Sequence, residues 1–300
     1  MKSITSFLYL PLWFFKARVL GRKIPLQTVL FVSDRCNLRC RHCSVYAKKD
    51  VTTKSYSQIR EELLYSYRLG SRFVDFEGGE PTLWRDGEHN LNSLIRLAKE
   101  IGFFSTTVTT NATMPFRNIE ADSIWVSMDG VGKYHDAVRG AGMFDRLVEN
   151  VRDCGHPALS VNMVVSRLNY ESLDEAMEFV RNNPHIRQIS INFLTPYPGS
   201  EDLMLDPDIR SSIIDKVIDY KKKGYPIMNS VSGLKMMKKM DFRKYCWVSN
   251  FITVDGVRHP DCGGSELGLC DRCGFCMSGE MYSVMHLKPD TLLAGLNLRM

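Results

Sequence analysis

The stretch CNLRCRHC, residues 36–43, places Cys36, Cys40 and Cys43 on one short segment. It follows Thr28–Val32, an apolar and β-branched run that predicts a buried strand. Iron–sulfur clusters are held by cysteine thiolates, and three protein ligands on a four-iron cluster leave one iron open. An open metal position can bind a small molecule, as it does in catalytic zinc sites. The stretch therefore predicts a cluster with one free coordination position.

A zinc site is the alternative interpretation of these three cysteines. Structural zinc normally takes four ligands, often as two pairs. His42 is a candidate for the fourth ligand, but its neighbour Cys43 already occupies that turn. We therefore expect iron and sulfide at this segment rather than zinc.

The composition is that of an ordinary globular protein. The chain has 300 residues, 44% of them hydrophobic and 24% charged, which is enough to build a core without disulfides. The formal net charge is +5, which is only mildly basic. The densest basic spots are Lys221–Lys223 and the group Lys235, Lys238 and Lys239. We interpret both as solvated helix faces, so the sequence gives no strong signal for a nucleic-acid partner.

The nine cysteines are clustered rather than scattered. Three lie within residues 36–43, five lie between Cys246 and Cys276, and Cys154 stands alone. The apolar run Phe7–Phe15 is interrupted by Pro11, lacks a small-residue cleavage site and is too short to cross a membrane. Clustered thiols in a reducing compartment usually bind metal. We therefore expect a cytoplasmic protein in which Cys154 is an ordinary thiol.

Segments of strand and helix character alternate after residue 27. The predicted strands are Thr28–Val32, Phe73–Glu77, Ser105–Thr110, Ser123–Met128, Leu159–Val165 and Gln188–Leu194. The predicted helices are Ser57–Leu69, Leu91–Ile101, Met143–Arg152, Leu173–Asn182 and Asp206–Lys223, the last with Asp206 as N-cap and Pro207 at its first position.

This alternation indicates an α/β fold with a parallel sheet. Six such units with right-handed crossovers can wrap into a partial (β/α)6 TIM-like barrel. Four of the predicted strands end in polar or cysteine motifs, and barrel active sites gather at the carboxyl ends of strands. We therefore expect one shared site at that end of the barrel.

The cysteine segment resembles the Cys-x3-Cys-x2-Cys signature of the radical S-adenosylmethionine (radical SAM) superfamily. The resemblance implies that Cys36, Cys40 and Cys43 hold a [4Fe-4S] cluster whose open iron binds the amino and carboxylate groups of S-adenosylmethionine. One electron then breaks a carbon–sulfur bond and releases a 5′-deoxyadenosyl radical. His42 stands where the family usually has an aromatic residue near the adenine, and its planar ring can also stack.

The segment Gly78-Gly79-Glu80-Pro81, directly after the second strand, is similar to the family's GGEP motif. In the family this motif lines the methionine amino group. Its glycines allow a tight turn and a close backbone approach, and Glu80 can accept hydrogen bonds from an ammonium group. Taken alone, the segment also fits a simple turn after a strand.

Other matches to the family are shorter. Ser127 and Asp129 lie in Trp125–Gly130, which resembles its strand-four motif, and Arg139 looks like its arginine for the methionine carboxylate. Thr110–Thr113 resembles a Thr-Asn-Gly segment with Ala112 in place of glycine. The resemblance implies a cofactor-binding set of His42, Gly78, Gly79, Glu80, Pro81, Asn111, Ser127, Asp129, Arg139 and Asn162. It does not identify a catalytic residue for the substrate.

The second cysteine group also predicts a metal site. Its members are Cys246, Cys262, Cys270, Cys273 and Cys276, with Gly256 between the first two. Paired cysteines suit a zinc ribbon as well, but the arrangement resembles the family's twitch or SPASM extension, which implies an auxiliary [4Fe-4S] cluster. Five cysteines suffice for one cluster with one left over, and the spacing leaves open which four bind it.

The chain divides into three predicted parts. Residues 1–27 form an apolar and basic arm, residues 28–223 the core barrel, and residues 224–300 the region of the auxiliary cluster. Aromatic and basic residues in the arm suit either a helix packed under the barrel or a helix lying in a membrane interface. Peripheral contact with the inner face of a membrane is therefore a second expectation for localisation.

These features together predict a radical SAM enzyme that abstracts a hydrogen atom from a peptide or a lipid-like substrate. The expected partners are S-adenosylmethionine, that substrate and an electron donor such as flavodoxin or ferredoxin. A non-catalytic iron–sulfur electron-transfer protein and a zinc-dependent nucleic-acid-binding protein are the alternatives. The electron-transfer alternative needs two closed clusters and has no use for Gly78–Pro81, whereas the three-cysteine segment leaves one iron unligated.

Overall fold

The computed structural model describes residues 4–43 and 51–297. The strands within them are β1 Gln27–Phe31, β2 Phe73–Glu77, β3 Arg85–Asp86, β4 His89–Asn90, β5 Ser105–Thr110, β6 Ser123–Ser127, β7 Leu159–Val165, β8 Ile189–Phe193, β9 Ser249–Ile252 and β10 Arg258–His259.

The helices alternate with these strands through the first two thirds of the chain. They are α1 Ile4–Arg18, α2 Tyr56–Leu69, α3 Leu91–Ile101, α4 Lys133–Arg139, α5 Met143–Cys154, α6 Leu173–Asn182, α7 Pro207–Lys222, α8 Val231–Lys239, α9 Gly263–Glu266, α10 Met277–Met285 and α11 Pro289–Asn297. In the described chain, no helix is both long enough and apolar enough to cross a bilayer.

One eight-stranded sheet organises the molecule. Its strand order is β10-β9-β1-β2-β5-β6-β7-β8, and every neighbouring pair is parallel except β9 with β10. The six strands predicted from the sequence are consecutive neighbours, and β8 does not close onto β1. The predicted partial (β/α)6 barrel is therefore confirmed.

The predicted bounds agree with the structure where the sequence pattern is strong. Strands β2, β5 and β7 and helices α3 and α6 have the predicted bounds, and the other predicted elements differ by one or two residues at an end. Asp206 does occupy the N-cap position of α7, but its side chain makes no capping bond. Its carboxylate instead accepts a hydrogen bond from Arg167 at 2.9 Å.

The two faces of the sheet differ in polarity. On the outer face, apolar side chains such as Leu30, Phe76 and Val126 pack against the surrounding helices. On the inner face, polar side chains stand next to each other across the strands: Asp75 beside Thr107, Thr107 beside Ser123, Ser127 beside Asn162, and Asn162 beside Ser190. The barrel therefore encloses a polar interior.

The C-terminal part of the chain is built into the barrel. Strand β9 adds a parallel neighbour to β1. The segment before α10 is fixed to the other edge, where the backbone N–H of Phe193 donates to Gly274 at 2.8 Å. Residues 249–276 therefore connect both edges of the open sheet.

Helix α1 lies at the amino end of the strands. Its Tyr9 hydroxyl hydrogen-bonds to the carbonyl of Gly70, just before β2, and its Trp13 indole donates to the carbonyl of Ile24 at 2.8 Å, just before β1. One side of α1 packs on α10 through Trp13 and Met285. The predicted packing of the arm under the barrel thus holds for one side of this helix.

Candidate functional site

The three-cysteine segment lies at the carboxyl end of β1. Cys36 is exposed, Cys40 is buried and Cys43 is half-buried. A turn brings the last two together, since the backbone N–H of Cys43 donates to the carbonyl of Cys40 at 3.2 Å. Residues 44–50, which follow, lie outside the described chain.

The Gly78-Gly79 turn packs directly on the start of this segment. The backbone N–H of Gly79 donates to Ser33 at 2.6 Å, and that of Glu80 donates to Arg35 at 2.8 Å. A Cβ atom on Gly79 would lie 2.3 Å from the carbonyl oxygen of Arg35. The two glycines therefore allow the turn to lie close to the backbone of residues 33–35, directly before Cys36.

Glu80 joins the ends of two strands. It is 1% exposed, and Oε1 accepts hydrogen bonds from the hydroxyls of Thr82 and Thr110 at 2.6 and 2.7 Å. Oε2 accepts from the backbone N–H of Asn111 at 2.8 Å. Both oxygens are thus engaged by the protein, and Pro81 begins the 3-10 turn that brings Thr82 into place.

Asn111 reaches the cysteine segment from the end of β5. Its Nδ2 donates to Oδ1 of Asn37 at 2.9 Å and lies 3.9 Å from the sulfur of Cys36. The next residue, Ala112, has a φ of 55°. A left-handed backbone favours glycine, which explains why the resembling motif has glycine at this position.

A buried ion pair stands on the other side of the cysteine segment. Nε of Arg139 donates to Oδ2 of Asp129 at 2.7 Å, and Arg139 Nη1 lies 3.8 Å from the sulfur of Cys40. The backbone N–H of Val164 donates to Oδ1 of Asp129 at 3.0 Å. Burial alone would raise the pKa of Asp129, but the charge of Arg139 and the hydrogen bond from Val164 hold it below its usual value.

Two histidines flank this pair. His42 Nε2 lies 3.8 Å from Oδ2 of Asp129, and burial lowers the pKa of His42. Burial also lowers the pKa of His135 to about 4. Nδ1 of His135 accepts from the backbone N–H of Asp129 at 3.2 Å, while its buried Nε2 has no partner in the described chain. Both rings are therefore neutral near pH 7.

The donors around the thiols fit a bound cluster. Asn111 directs an N–H group toward the sulfur of Cys36, and Arg139 directs one toward the sulfur of Cys40. The backbone N–H of Leu38 also lies 3.4 Å from the sulfur of Cys36. Such donors stabilise the charge of cluster thiolates. Among the described residues, no three metal-ligating side chains converge on a single ion. A cluster instead binds each thiolate at a different iron.

Ser127 and Asn162 lie on the inner face below this edge, as neighbours on β6 and β7. Oδ1 of Asn162 accepts from the side chain of Asn192 on β8 at 2.7 Å. Deeper inside, Thr109 lies 3.3 Å from Asp75 and 3.5 Å from Glu77. Burial, reinforced by Glu77, raises the pKa of Asp75, so this pair retains a proton more readily than exposed carboxyls do.

Four of the C-terminal cysteines lie together. The thiolate of Cys262 accepts hydrogen bonds from Cys246 and from the backbone of Ser265, which lowers the pKa of Cys262 to about 6. Cys273 interacts electrostatically with both Cys262 and Cys276.

Cys270 differs from these four cysteines. It begins the short 3-10 turn Cys270–Arg272. Its carbonyl accepts a hydrogen bond from the backbone N–H of Cys273 at 3.4 Å. Cys270 thus lies next to the other four cysteines along the backbone, while the thiol interactions described above join Cys246, Cys262, Cys273 and Cys276.

The C-terminal cysteines are anchored to β8. The backbone N–H of Cys276 donates to Oδ1 of Asn192 at 2.8 Å. Arg210 Nη2 donates to the carbonyl of Cys273 at 3.0 Å. A Cβ atom on Gly274 would lie 1.9 Å from the carbonyl oxygen of Phe193. Both cysteine groups therefore lie at the carboxyl edge of the same sheet, as expected for one shared site.

Cys154 lies apart from both groups. It ends α5, is buried, and its thiol lies 3.9 Å from the carbonyl of Phe116. The structure places no other cysteine of the described chain beside it.

Comparison with known proteins identifies the class. The family model of the radical SAM superfamily matches residues 30–180, which span the cysteine segment, the Gly78-Gly79 turn and Arg139. The chain therefore belongs to the radical SAM superfamily, and its members are enzymes that use a [4Fe-4S] cluster and S-adenosylmethionine. The predicted class is confirmed.

The share of a relative's length that matches this chain differs from one relative to another. A probable GTP 3′,8-cyclase of Saccharolobus solfataricus is 22% identical over 286 residues, covering 89% of this chain and 85% of that protein. The mycofactocin maturase MftC of Mycolicibacterium smegmatis is 32% identical over 164 residues, covering 52% of this chain and 41% of that protein. The chain thus spans less than half of that maturase.

Solved structures share the fold. SuiB of Streptococcus suis bound to S-adenosylmethionine has a TM-score of 0.64 and 19% identity, covering 85% of this chain and 66% of that one. SuiB bound to its precursor peptide SuiA also has a TM-score of 0.64, with 63% of that chain covered. The likeness confirms the fold class.

Several residues at the site were not found from the sequence. Asn192, Asp75, Glu77 and Thr109 face the barrel interior, and His135 and Asn169 support Asp129 from below. The polar alternation within β2, β7 and β8 is a usable signal for Asp75, Glu77 and Asn192, because inward and outward residues alternate along a strand. His135 and Asn169 carry no comparable pattern.

Proposed function

We propose that Cys36, Cys40 and Cys43 are the ligands of the catalytic cluster in this chain. Bound there, the cluster supplies one electron to S-adenosylmethionine, which releases methionine and a 5′-deoxyadenosyl radical that abstracts hydrogen from the substrate. The observation that carries the ligand assignment is the pair of side-chain donors, Asn111 and Arg139, within 4 Å of two of these sulfurs. Thiolates are the cluster ligands that benefit from such donors.

The two buried carboxylates act through their neighbours. Glu80 and Asp129 have both oxygens engaged by the protein, so we assign them to positioning Asn111 and Arg139. The Arg139 guanidinium, beside Cys40, is the cation available for the methionine carboxylate. His42 is assigned to the adenine, and Ser127 and Asn162 offer polar groups to the rest of the cofactor.

The C-terminal cysteines are proposed to hold an auxiliary [4Fe-4S] cluster. Its ligands would be Cys246, Cys262, Cys273 and Cys276, with Cys270 as the spare thiol. The mutual contacts of the four support this choice, as does the guanidinium of Arg210 beside Cys273. Each ligand must lose its proton to bind iron.

A peptide is the substrate class that we favour. The barrel interior is lined with hydroxyl, amide and carboxyl groups such as Thr109, Asn192 and Asp75, which suit a substrate rich in hydrogen-bonding groups. Relatives include a maturase, and the similar SuiB structure contains a precursor peptide. A lipid-like substrate finds less support, because the apolar arm lies at the opposite end of the barrel from the cysteine segment.

A nucleotide is the second candidate. Two relatives named probable GTP 3′,8-cyclase, from Saccharolobus solfataricus and Saccharolobus islandicus, each match over 89% of this chain, a larger share than the maturase does. The polar interior suits a nucleotide too. In either case flavodoxin or ferredoxin is the proposed electron donor.

The ligand proposal is tested by counting iron. Wild-type protein, Cys270→Ser and Cys273→Ser are reconstituted with iron and sulfide without oxygen. We expect about eight irons per chain in the first two and about four in Cys273→Ser. Equal loss in both variants, or loss in Cys270→Ser alone, would contradict the assignment.

The substrate proposal is tested by deuterium transfer. The reconstituted enzyme is incubated with S-adenosylmethionine and dithionite, and with either peptides extracted from deuterium-grown cells, deuterated GTP, or deuterated phospholipids. Deuterium in 5′-deoxyadenosine from the peptide sample alone supports the proposal. Deuterium from GTP or phospholipid alone would overturn the choice of substrate while leaving the radical chemistry intact.

A further inference from the structure

Helix α1 is apolar on all sides, but only one of its sides is buried. Trp13 and Ala17 are 4% and 8% exposed and pack on Val248 and Met285. On the other side, large apolar side chains are between 49% and 64% exposed; they are Leu8, Leu12 and Phe15 of the helix, and Val19 directly after it. The backbone N–H of Val19 still donates to the carbonyl of Phe15 at 2.9 Å, so Val19 continues the helical turn. Residues spaced by three and four lie on one face of a helix. These four, the apolar stripe, form a continuous uncovered surface.

The excess charge of the chain lies beside this stripe. The first 33 residues contain five Lys and Arg and no Asp or Glu. The rest of the chain therefore carries 34 residues of each sign and is formally neutral. Four of the five basic residues lie at the end of α1 or just after it; they are Lys16, Arg18, Arg22 and Lys23.

We propose that the apolar stripe and this basic group form a docking surface for an anionic phospholipid bilayer. An interfacial helix places its apolar side at the boundary between headgroups and acyl chains, with its Lys and Arg at the lipid phosphates. Charge complementarity favours lipid over a second copy of this chain. Pairing two such surfaces brings their basic groups together, and the first 33 residues contain no Asp or Glu to offset them.

The position of α1 sets the orientation of the docked enzyme. The helix contacts Gly70 and Ile24, where β2 and β1 begin. The cysteine segment lies at the other end of these strands, after Phe31. Binding through the apolar stripe therefore turns the barrel mouth away from the bilayer. The surface localises the enzyme rather than delivering a lipid to its site, and the inference is independent of the substrate proposed above.

Vesicle binding tests the proposal. Reconstituted protein is sedimented, without oxygen, with vesicles of phosphatidylcholine alone or with one third phosphatidylglycerol. We expect binding to the anionic vesicles that weakens as salt is raised. Leu12→Asp and Val19→Asp should each lower the partition coefficient at least tenfold, whereas Met114→Asp, an exposed apolar residue at the opposite end, should not change it.

Charge variants separate the two parts of the surface. Arg22→Gln with Lys23→Gln should lower binding to anionic vesicles by roughly tenfold or more and leave weak binding to neutral vesicles unchanged. The control Lys222→Gln with Lys223→Gln, at the C-terminal end of α7, should have no effect. Retained iron content and 5′-deoxyadenosine formation show that each variant is folded.

Two outcomes would overturn the proposal. One is that wild-type protein fails to bind anionic vesicles, or binds them equally after the Leu12 and Val19 substitutions. The other is a dimer in sedimentation velocity that both substitutions dissociate, which would assign the stripe to a second copy of the chain.

Discussion

The side chain of Asn192 accepts a hydrogen bond from the backbone N–H of Cys276 at 2.8 Å and donates to Asn162 at 2.7 Å. One amide thus connects the strand below the cofactor site with the segment that carries the C-terminal cysteines. The two cysteine groups are far apart in the sequence, yet the position of one is fixed relative to the other through β8.

Replacing this amide should release the C-terminal cysteines selectively. Asn192→Ala leaves the N–H of Cys276 without its buried acceptor. We expect iron content to fall from about eight to about four per chain, with the catalytic cluster retained. Ser190→Ala, two residues earlier on the same inner face, is the control and should keep its iron. Full iron content in both variants would show that Asn192 is dispensable for the second cluster.

Gly79→Ala should disrupt the first cluster. Its Cβ would lie 2.3 Å from the carbonyl oxygen of Arg35, so the backbone next to Cys36 must shift. We expect about half the iron to be lost and 5′-deoxyadenosine formation to fall at least a hundredfold. Gly295→Ala has open space around its Cβ and is the control. Normal activity of Gly79→Ala would refute the close approach.

Breaking the Asp129–Arg139 pair should destabilise the protein strongly. The two side chains are 0% and 9% exposed, and Asp129→Ala leaves the guanidinium buried without its carboxylate. The unfolding free energy should fall by about 3–5 kcal/mol, measured by urea unfolding without oxygen. Asp153→Ala removes the exposed pair with Arg117 and should cost less than about 1 kcal/mol. Equal losses would contradict a buried, structural role.

The free energy of unfolding should depend on pH because of the buried side chain of Glu280. Burial raises its pKa from 4.5 to about 7, so the folded state binds an extra proton between these values. Its contribution to stability therefore falls as pH rises from about 4.5 to 7 and is constant above that range. Relative to wild type, Glu280→Gln should gain about 2–3 kcal/mol of unfolding free energy between pH 5 and pH 8. Glu61→Gln, which is exposed, should run parallel to wild type.

The sequence predicted the elements whose signals are local. Helix α3 and helix α6 have regular apolar spacing and were placed at their observed bounds. Helix α4 has no comparable signal, because it is seven residues long and its N-cap is Gly132, which offers no side-chain cap. Strand β9 was missed because its pairing with β1 bridges more than 200 residues, a contact that no local pattern encodes.

The same distinction holds at the site. Spacing alone identified both cysteine groups, since ligands on one loop must be close in the sequence. The identities of Gly79 and Glu80 were predicted, but their partners were not. Glu80 accepts a hydrogen bond from the backbone of Asn111, and Gly79 packs on Asp34 and Arg35 directly before Cys36. These contacts join separate strands and depend on the finished barrel.

The most direct test of the central claim is whether reductive cleavage of S-adenosylmethionine requires Cys36, Cys40 and Cys43, the proposed ligands of the catalytic cluster. Reconstituted wild-type protein and a Cys36→Ala, Cys40→Ala, Cys43→Ala variant are mixed with S-adenosylmethionine and dithionite without oxygen. The products are then quantified by mass spectrometry, with the substrate sample that supports turnover included. We predict 5′-deoxyadenosine from the wild type and none from the variant, which should retain about four irons. Equal product from both proteins, or none from fully iron-loaded wild type with every substrate sample, would contradict the assignment.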